Sequence, residues 1–165
     1  MNRIRNFLVA AGVFVLVIVI YLTLSMVTKK PQKAYDFSAG TQHGQVVSLS
    51  DNYGKRGSVV IFIDPEIEGA TKLLSQIINL HGDADIIALS VSELPENEQK
   101  EKLKAASADI LELEKLCFES SEAIEKYNIG ATPVTYFIDK DGYVVDVFVG
   151  AIRDSSIEKC IEKIN

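Results

Sequence analysis

Cysteine is scarce in this sequence of 165 residues: two thiols, Cys117 and Cys160, and no Cys-x-x-Cys pair. Two cysteines exclude a disulfide-dense scaffold and a four-thiolate zinc site. Histidine is equally sparse, and neither His43 nor His81 stands at a spacing from cysteine or carboxylate that suggests zinc. Acid is missing from the first 35 residues, since all 23 acidic side chains lie from Asp36 onward. Four of the 17 bases stand at or before Lys30, which leaves 13 bases against 23 acids, a net −10, in residues 31–165. A domain so charged repels the phosphate backbone, which excludes nucleic acid as a partner. There is no internal repeat and no low-complexity tract.

What the N-terminus does hold is a long apolar run. Phe7 to Val27 is 21 residues without a charge. As a helix this stretch would measure about 31 Å, enough to cross a bilayer core. A cleaved signal would have a shorter apolar region and a better cleavage site than Thr23-Leu24-Ser25. No lipobox-like cysteine follows. The expectation is a tail at 1–6, an uncleaved single-pass transmembrane anchor at 7–27, a linker at 28–35 and a folded domain at 36–165. Arg3 and Arg5 flank one side of the run and Lys29, Lys30 and Lys33 the other, so charge alone leaves the orientation open.

The folded part alternates strands and helices. Val46–Leu49 reads as a short strand after the turn-like His43-Gly44. Ser58–Ile63 (SVVIFI) is a continuous apolar run, the pattern of a strand buried on both faces. Helical spacing follows over 67–80, then a strand at Asp85–Val91, a charged helix from Leu94-Pro95 to about residue 107, a strand at Leu113–Phe118 and a short helix at 121–127. Pro133–Ile138 and Tyr143–Val149 flank Asp139-Lys140-Asp141-Gly142, a hairpin signal. Ser155-x-x-Glu158 reads as a capping box opening the last helix. A βαβ unit followed by a hairpin and a terminal helix is an α/β domain with a mixed sheet.

Two segments carry a resemblance. Asp36-Phe37 through Val47-Ser48-Leu49-Ser50-Asp51 and Gly54-Lys55 into SVVIFI is one; Tyr127 through Thr132-Pro133-Val134-Thr135-Tyr136-Phe137-Ile138-Asp139-Lys140-Asp141-Gly142 is the other. In this order they resemble the thioredoxin fold, and within it the membrane-tethered thiol–disulfide oxidoreductases of the TlpA type and the wider redoxin group that includes peroxiredoxins (AhpC/TSA-related). The resemblance implies an extracytoplasmic domain. It also implies a cis bond at Thr132-Pro133, beside the active site, that presents backbone groups to an extended substrate segment.

The same resemblance locates a gap. The family's Cys-x-x-Cys belongs where SVVIFI meets the next helix, since a helix N-terminus favours a thiolate. Here the two positions are Ile67 and Ala70. In a peroxiredoxin register the reactive cysteine again falls on Ala70, and Pro133 stands where that family has an arginine. Asp64, Glu66 and Glu68 surround the spot and would oppose a neighbouring thiolate. They read as helix capping on a solvated face, with a divalent-cation site as the sharper alternative. Cys117 in a strand and Cys160 on an apolar helix face read as small buried hydrophobes, with a relocated redox pair or a disulfide as the alternative.

Two functions follow. One is a membrane-anchored, non-catalytic binding or accessory module with degenerate positions Ile67 and Ala70. It would use Thr132 and Pro133 to hold an extended segment of an envelope protein or redox partner, and would need no cofactor and no metal. The other is a thiol–disulfide oxidoreductase, or a peroxidase, working through Cys117 or Cys160.

Overall fold

A computed structural model describes residues 32–165. The expected anchor at 7–27 lies outside them. Among the described residues no helix is long and apolar enough to cross a membrane.

Every side chain of β3 (Ser58–Ile63) is buried, and the two faces of this strand organise the domain. Successive strand residues point to opposite sides of a sheet. Val59, Ile61 and Ile63 therefore enter one apolar layer, and Val60 and Phe62 enter another. The first layer is closed by α1 (Glu68–Leu80), α2 (Glu96–Ala106) and α4 (Asp154–Ile164), which contribute Leu73, Leu74, Leu103, Ile157 and Ile161. The second is closed by Phe37, Leu49 and Tyr127, and by Ala123 of α3 (Ser121–Lys126).

Between the layers runs a mixed seven-stranded sheet in the order β2-β1-β5-β4-β3-β6-β7. β4 is Asp85–Ser90 and β5 Leu116–Glu119; β3, β4 and β5 are parallel. β6 (Val134–Ile138) and β7 (Val144–Val149) form the expected hairpin and add antiparallel to β3. On the far side, β1 (Ser38–Thr41) pairs antiparallel with β2 (Val46–Ser48) and with β5. The domain is thus the mixed α/β, thioredoxin-like fold that its element order implies.

Some details differ from the sequence pattern. β1 reads Ser-Ala-Gly-Thr and has no apolar alternation to announce it. β5 begins at Leu116 rather than Leu113, because Ala108–Glu112 winds into a 3-10 turn that buries Ile110. The capping box at Ser155 is not formed. The N-cap of α4 lies two residues earlier, at Arg153, with no side-chain cap, and the Asp154 carboxylate accepts a hydrogen bond from Gln76. Gln32–Ala34, read as the end of a linker, already pairs with the hairpin: Lys33 bridges Tyr143, and the Ala34 N–H donates to the Gly142 carbonyl at 2.9 Å.

Candidate functional site

Three strand ends meet at one pole of the sheet. Phe62 pairs with Val134, so the C-terminal end of β3 arrives beside the N-terminal end of β6. Val91, just past β4, donates its N–H to the Ile63 carbonyl at 2.9 Å. Segments 64–67, 91–93 and 129–133 therefore share this pole.

The segment leaving β3 turns tightly. The Ile67 N–H donates to the Asp64 carbonyl at 3.0 Å, and the Asp64 carboxylate accepts the Glu66 N–H at 2.9 Å. This turn aims Ile67 outward at the N-cap of α1, where 41% of it is exposed. Ala70, one turn on, is wholly buried among Leu73 and Leu74. Of the two positions that the resemblance marks for cysteine, one side chain faces solvent and the other the core.

Glu66 and Glu68 are exposed and Asp64 is half-buried. The Lys102 ammonium of α2 lies 3.7 Å from the Glu66 carboxylate. No acid side chain caps α1; Glu68 sits in its first turn, where negative charge complements the helix dipole. Among the described residues no group of three His, Cys, Asp or Glu is placed to hold a metal ion.

The Thr132–Pro133 peptide bond is cis. Pro133 is buried, and its carbonyl accepts the Gly150 N–H at 2.8 Å, which ties this turn to the end of β7. Thr132 is half-buried and Ala131 exposed. Among the described residues, no backbone hydrogen bond uses an N–H or carbonyl of Gly130, Ala131 or Thr132. Such groups at a surface are open to a chain laid beside them. Two shallow grooves flank this loop, the second of them mostly apolar. One, about 240 Å³, has Val91 and Ile124 in its wall; the other, about 320 Å³, has Tyr136, Val147 and Val149. Val149 is 70% exposed, on the edge strand.

The two cysteines lie elsewhere and apart. Cys117 on β5 is in the second apolar layer and Cys160 on α4 is in the first, so the sheet separates them. Both are free and buried. Burial pushes the Cys117 thiol up to about 12, opposed only in part by the Lys115 charge. Cys160 is also raised, first by burial and then by the Asp146 carboxylate, 3.9 Å from its sulfur. A thiol held protonated inside a core is a poor nucleophile. Neither reaches the Ile67 pole as a pair, and the geometry makes no disulfide between them. His81 ends α1, with Nδ1 2.6 Å from the Ile78 carbonyl, and His43 sits exposed in a turn.

Sequence reasoning missed the Ile129–Ala131 loop and the apolar edge at Val147 and Val149. The hairpin signal announces β7, but not which of its valines stay uncovered. It also missed a polar cluster at the opposite pole. There Lys115 Nζ lies 2.5 Å from Asp85 and 3.0 Å from Asn52 Oδ1, and Asn52 donates to Ser58 at 2.8 Å.

A model of the AhpC/TSA family matches residues 31–147, well over half of the chain. The chain belongs to the AhpC/TSA family. Among relatives, the thioredoxin-like protein YneN of Bacillus subtilis is 27% identical over 138 residues, 79% of this chain and 78% of that one. A thiol:disulfide interchange protein of the thioredoxin family from Chlorobium tepidum superposes with a TM-score of 0.64 at 18% identity, covering 82% of this chain and 97% of that one. The exposed lipoprotein thioredoxin of Streptococcus pneumoniae superposes at 0.61 with 21% identity, covering 78% and 99%. At these identities the structures speak for the fold. In this AhpC/TSA chain that fold is thioredoxin-like, and the pole described above carries Ile67 and Ala70.

Proposed function

We propose that this protein is a membrane-tethered, extracytoplasmic docking module of the redoxin family that performs no dithiol chemistry at the β3–α1 junction. One observation carries the reading: Ile67 stands exposed and Ala70 buried where the resemblance places reactive thiols, while both remaining thiols are buried on opposite faces of the sheet. Thiol–disulfide exchange needs an accessible thiolate, and neither cysteine supplies one.

The working surface is the loop Gly130–Thr132 with its unengaged backbone groups and the two shallow grooves beside it. An extended segment of an envelope protein or redox partner would lie there as an added strand, the main chain giving affinity and the grooves selecting side chains. Residues 7–27 would hold the domain at the membrane, with 28–31 as a short spacer.

The names of the relatives favour the other reading, thiol–disulfide interchange through Cys117 or Cys160. One assay separates the two. The purified full chain is tested for disulfide reduction and for peroxide turnover beside Cys117→Ser and Cys160→Ser. The docking reading expects no turnover in any of the three; activity that disappears in either serine variant overturns it. Crosslinking in the native membrane tests the surface. Ala131→Asp and Val149→Asp should lose the partners that the unaltered chain captures, while an unchanged set of partners counts against this face.

A further inference from the structure

The charge around this surface says what kind of segment it takes. Asp64, Glu66 and Glu68 follow β3 directly, and Glu93 follows Val91, which lines one groove. Three of these acids thus flank the exposed Ile67 along the chain, and the fourth lies two residues from the wall of a groove. The nearby bases do little to balance them. Lys102 meets Glu66 at 3.7 Å, with both side chains about half exposed, and Lys100 is taken by Glu96 of its own helix at 2.5 Å. An exposed pair of that kind is weak and readily exchanged for another cation.

Resting on the docking reading above, we infer that the occupant is an extended polypeptide segment of another protein that alternates lysine or arginine with apolar side chains. Alternation follows from strand geometry. When a segment lies along Gly130–Thr132, every second side chain faces the grooves on the α3 side of the sheet, and the intervening ones turn to the α1 side, where Ile67 and its flanking acids stand. Apolar residues fill the grooves beside Val91 and Val149. Cationic residues meet Asp64, Glu66, Glu68 and Glu93. An acidic segment would meet like charge at each of these places, so the rim discriminates by repulsion as well as attraction.

The same acids explain why an exposed apolar side chain at Ile67 is compatible with a specific surface. An uncharged hydrophobic patch binds indiscriminately, whereas an acidic collar admits only segments that bring compensating charge.

The test uses the purified full chain and fluorescently labelled short peptides with blocked ends, read by anisotropy. One peptide alternates lysine with valine, one glutamate with valine and one serine with valine. The lysine peptide should bind more tightly than the serine peptide by about tenfold, the sum expected of a few exposed charge pairs. Raising the salt from about 50 mM to about 500 mM should erase most of that margin. Glu66→Gln with Glu68→Gln, which leaves two of the four acids, should cut the margin to about threefold, and Glu66→Lys with Glu68→Lys, which brings the four positions to zero net charge, should abolish it. Binding of the lysine and serine peptides alike, displaced by Val149→Asp, overturns the charge inference and leaves the docking surface standing. No binding of any peptide, with the Ala131→Asp and Val149→Asp crosslinks unchanged, overturns both.

Discussion

A thiol serves exchange chemistry only as an accessible thiolate, and at the scale of single residues this chain withholds both conditions. Cys117 behaves as a small apolar side chain whose proton is held by its surroundings. That has a consequence for alkaline stability. The ordinary thiol value of 9.0 rises to about 12 in the fold, so the folded state keeps a proton that the unfolded state gives up first. The contribution is fully present below pH 9 and is lost as the pH climbs through 12. Tyr127 is raised too, chiefly by burial, and acts with the same sign. Urea unfolding from pH 8 to 11 should therefore show stability falling above pH 9. Cys117→Ala should be less stable at pH 7 by about 1–2 kcal/mol, from the cavity it leaves. Its deficit should then narrow by up to about 1.4 kcal/mol for each pH step above 9, because the variant lacks the titrating group. A deficit constant with pH would show that Cys117 is not held in its protonated form.

At the scale of elements, what was legible depended on whether burial left a pattern. β3 is apolar at five of its six positions because helices cover one face and the Phe37–Leu49 region the other, and no other element class fits so short an apolar run with turns on both sides. β1 was illegible, because its place in the sheet comes from pairing with β2 and β5 and only Ala39 and Thr41 are buried. The start of β5 was misplaced for a related reason: Leu111 and Leu113 look like strand residues, but their carbonyls receive the Gln42 amide at 2.9 Å in an irregular segment. Gly57 shows a contact between elements that no local pattern announces. A Cβ there would stand 2.5 Å from the backbone oxygen of Ile164, at the end of α4. Gly57→Ala should force that helix end away and destabilise the fold by about 1–3 kcal/mol. Gly69→Ala is the control. It lies in the first turn of α1 with open space around it, so it should be neutral or stabilising by up to about 1 kcal/mol. Urea midpoints of the two variants measure the contrast, and equal effects would mean that α4 does not close on Gly57.

At the scale of the whole molecule, a polar cluster and the proposed docking surface lie at opposite poles of the sheet. The candidate site was half legible: Ile67, Ala70 and Thr132-Pro133 could be named from residue order, since they sit on motifs. The uncovered valines of β7 and the open backbone of Gly130–Thr132 could not, because exposure is a property of what fails to pack there. The polar cluster at the other pole was invisible for the same reason, as Asn52, Asp85 and Lys115 are brought together only by the sheet. Ser58 and Asp85 pair at the first positions of β3 and β4, so this cluster ties the 3-10 turn at Leu49–Asn52 to two strands and to Lys115 before β5. Both side chains of the Lys115–Asp85 pair are less than a fifth exposed. Removing the cation leaves a carboxylate short of its partner in a poorly solvated place. Lys115→Met should therefore cost about 1–3 kcal/mol in urea unfolding, less than a fully buried pair would because some solvent reaches the site. It should leave the affinity for the lysine–valine peptide unchanged. Val149→Asp should do the converse, weakening the peptide while moving the unfolding midpoint little, since that side chain is already mostly in water. Loss of peptide binding in Lys115→Met, at a temperature where the variant is fully folded, would mean that the two poles are coupled through β3 and β4 and that the cluster helps to shape the groove.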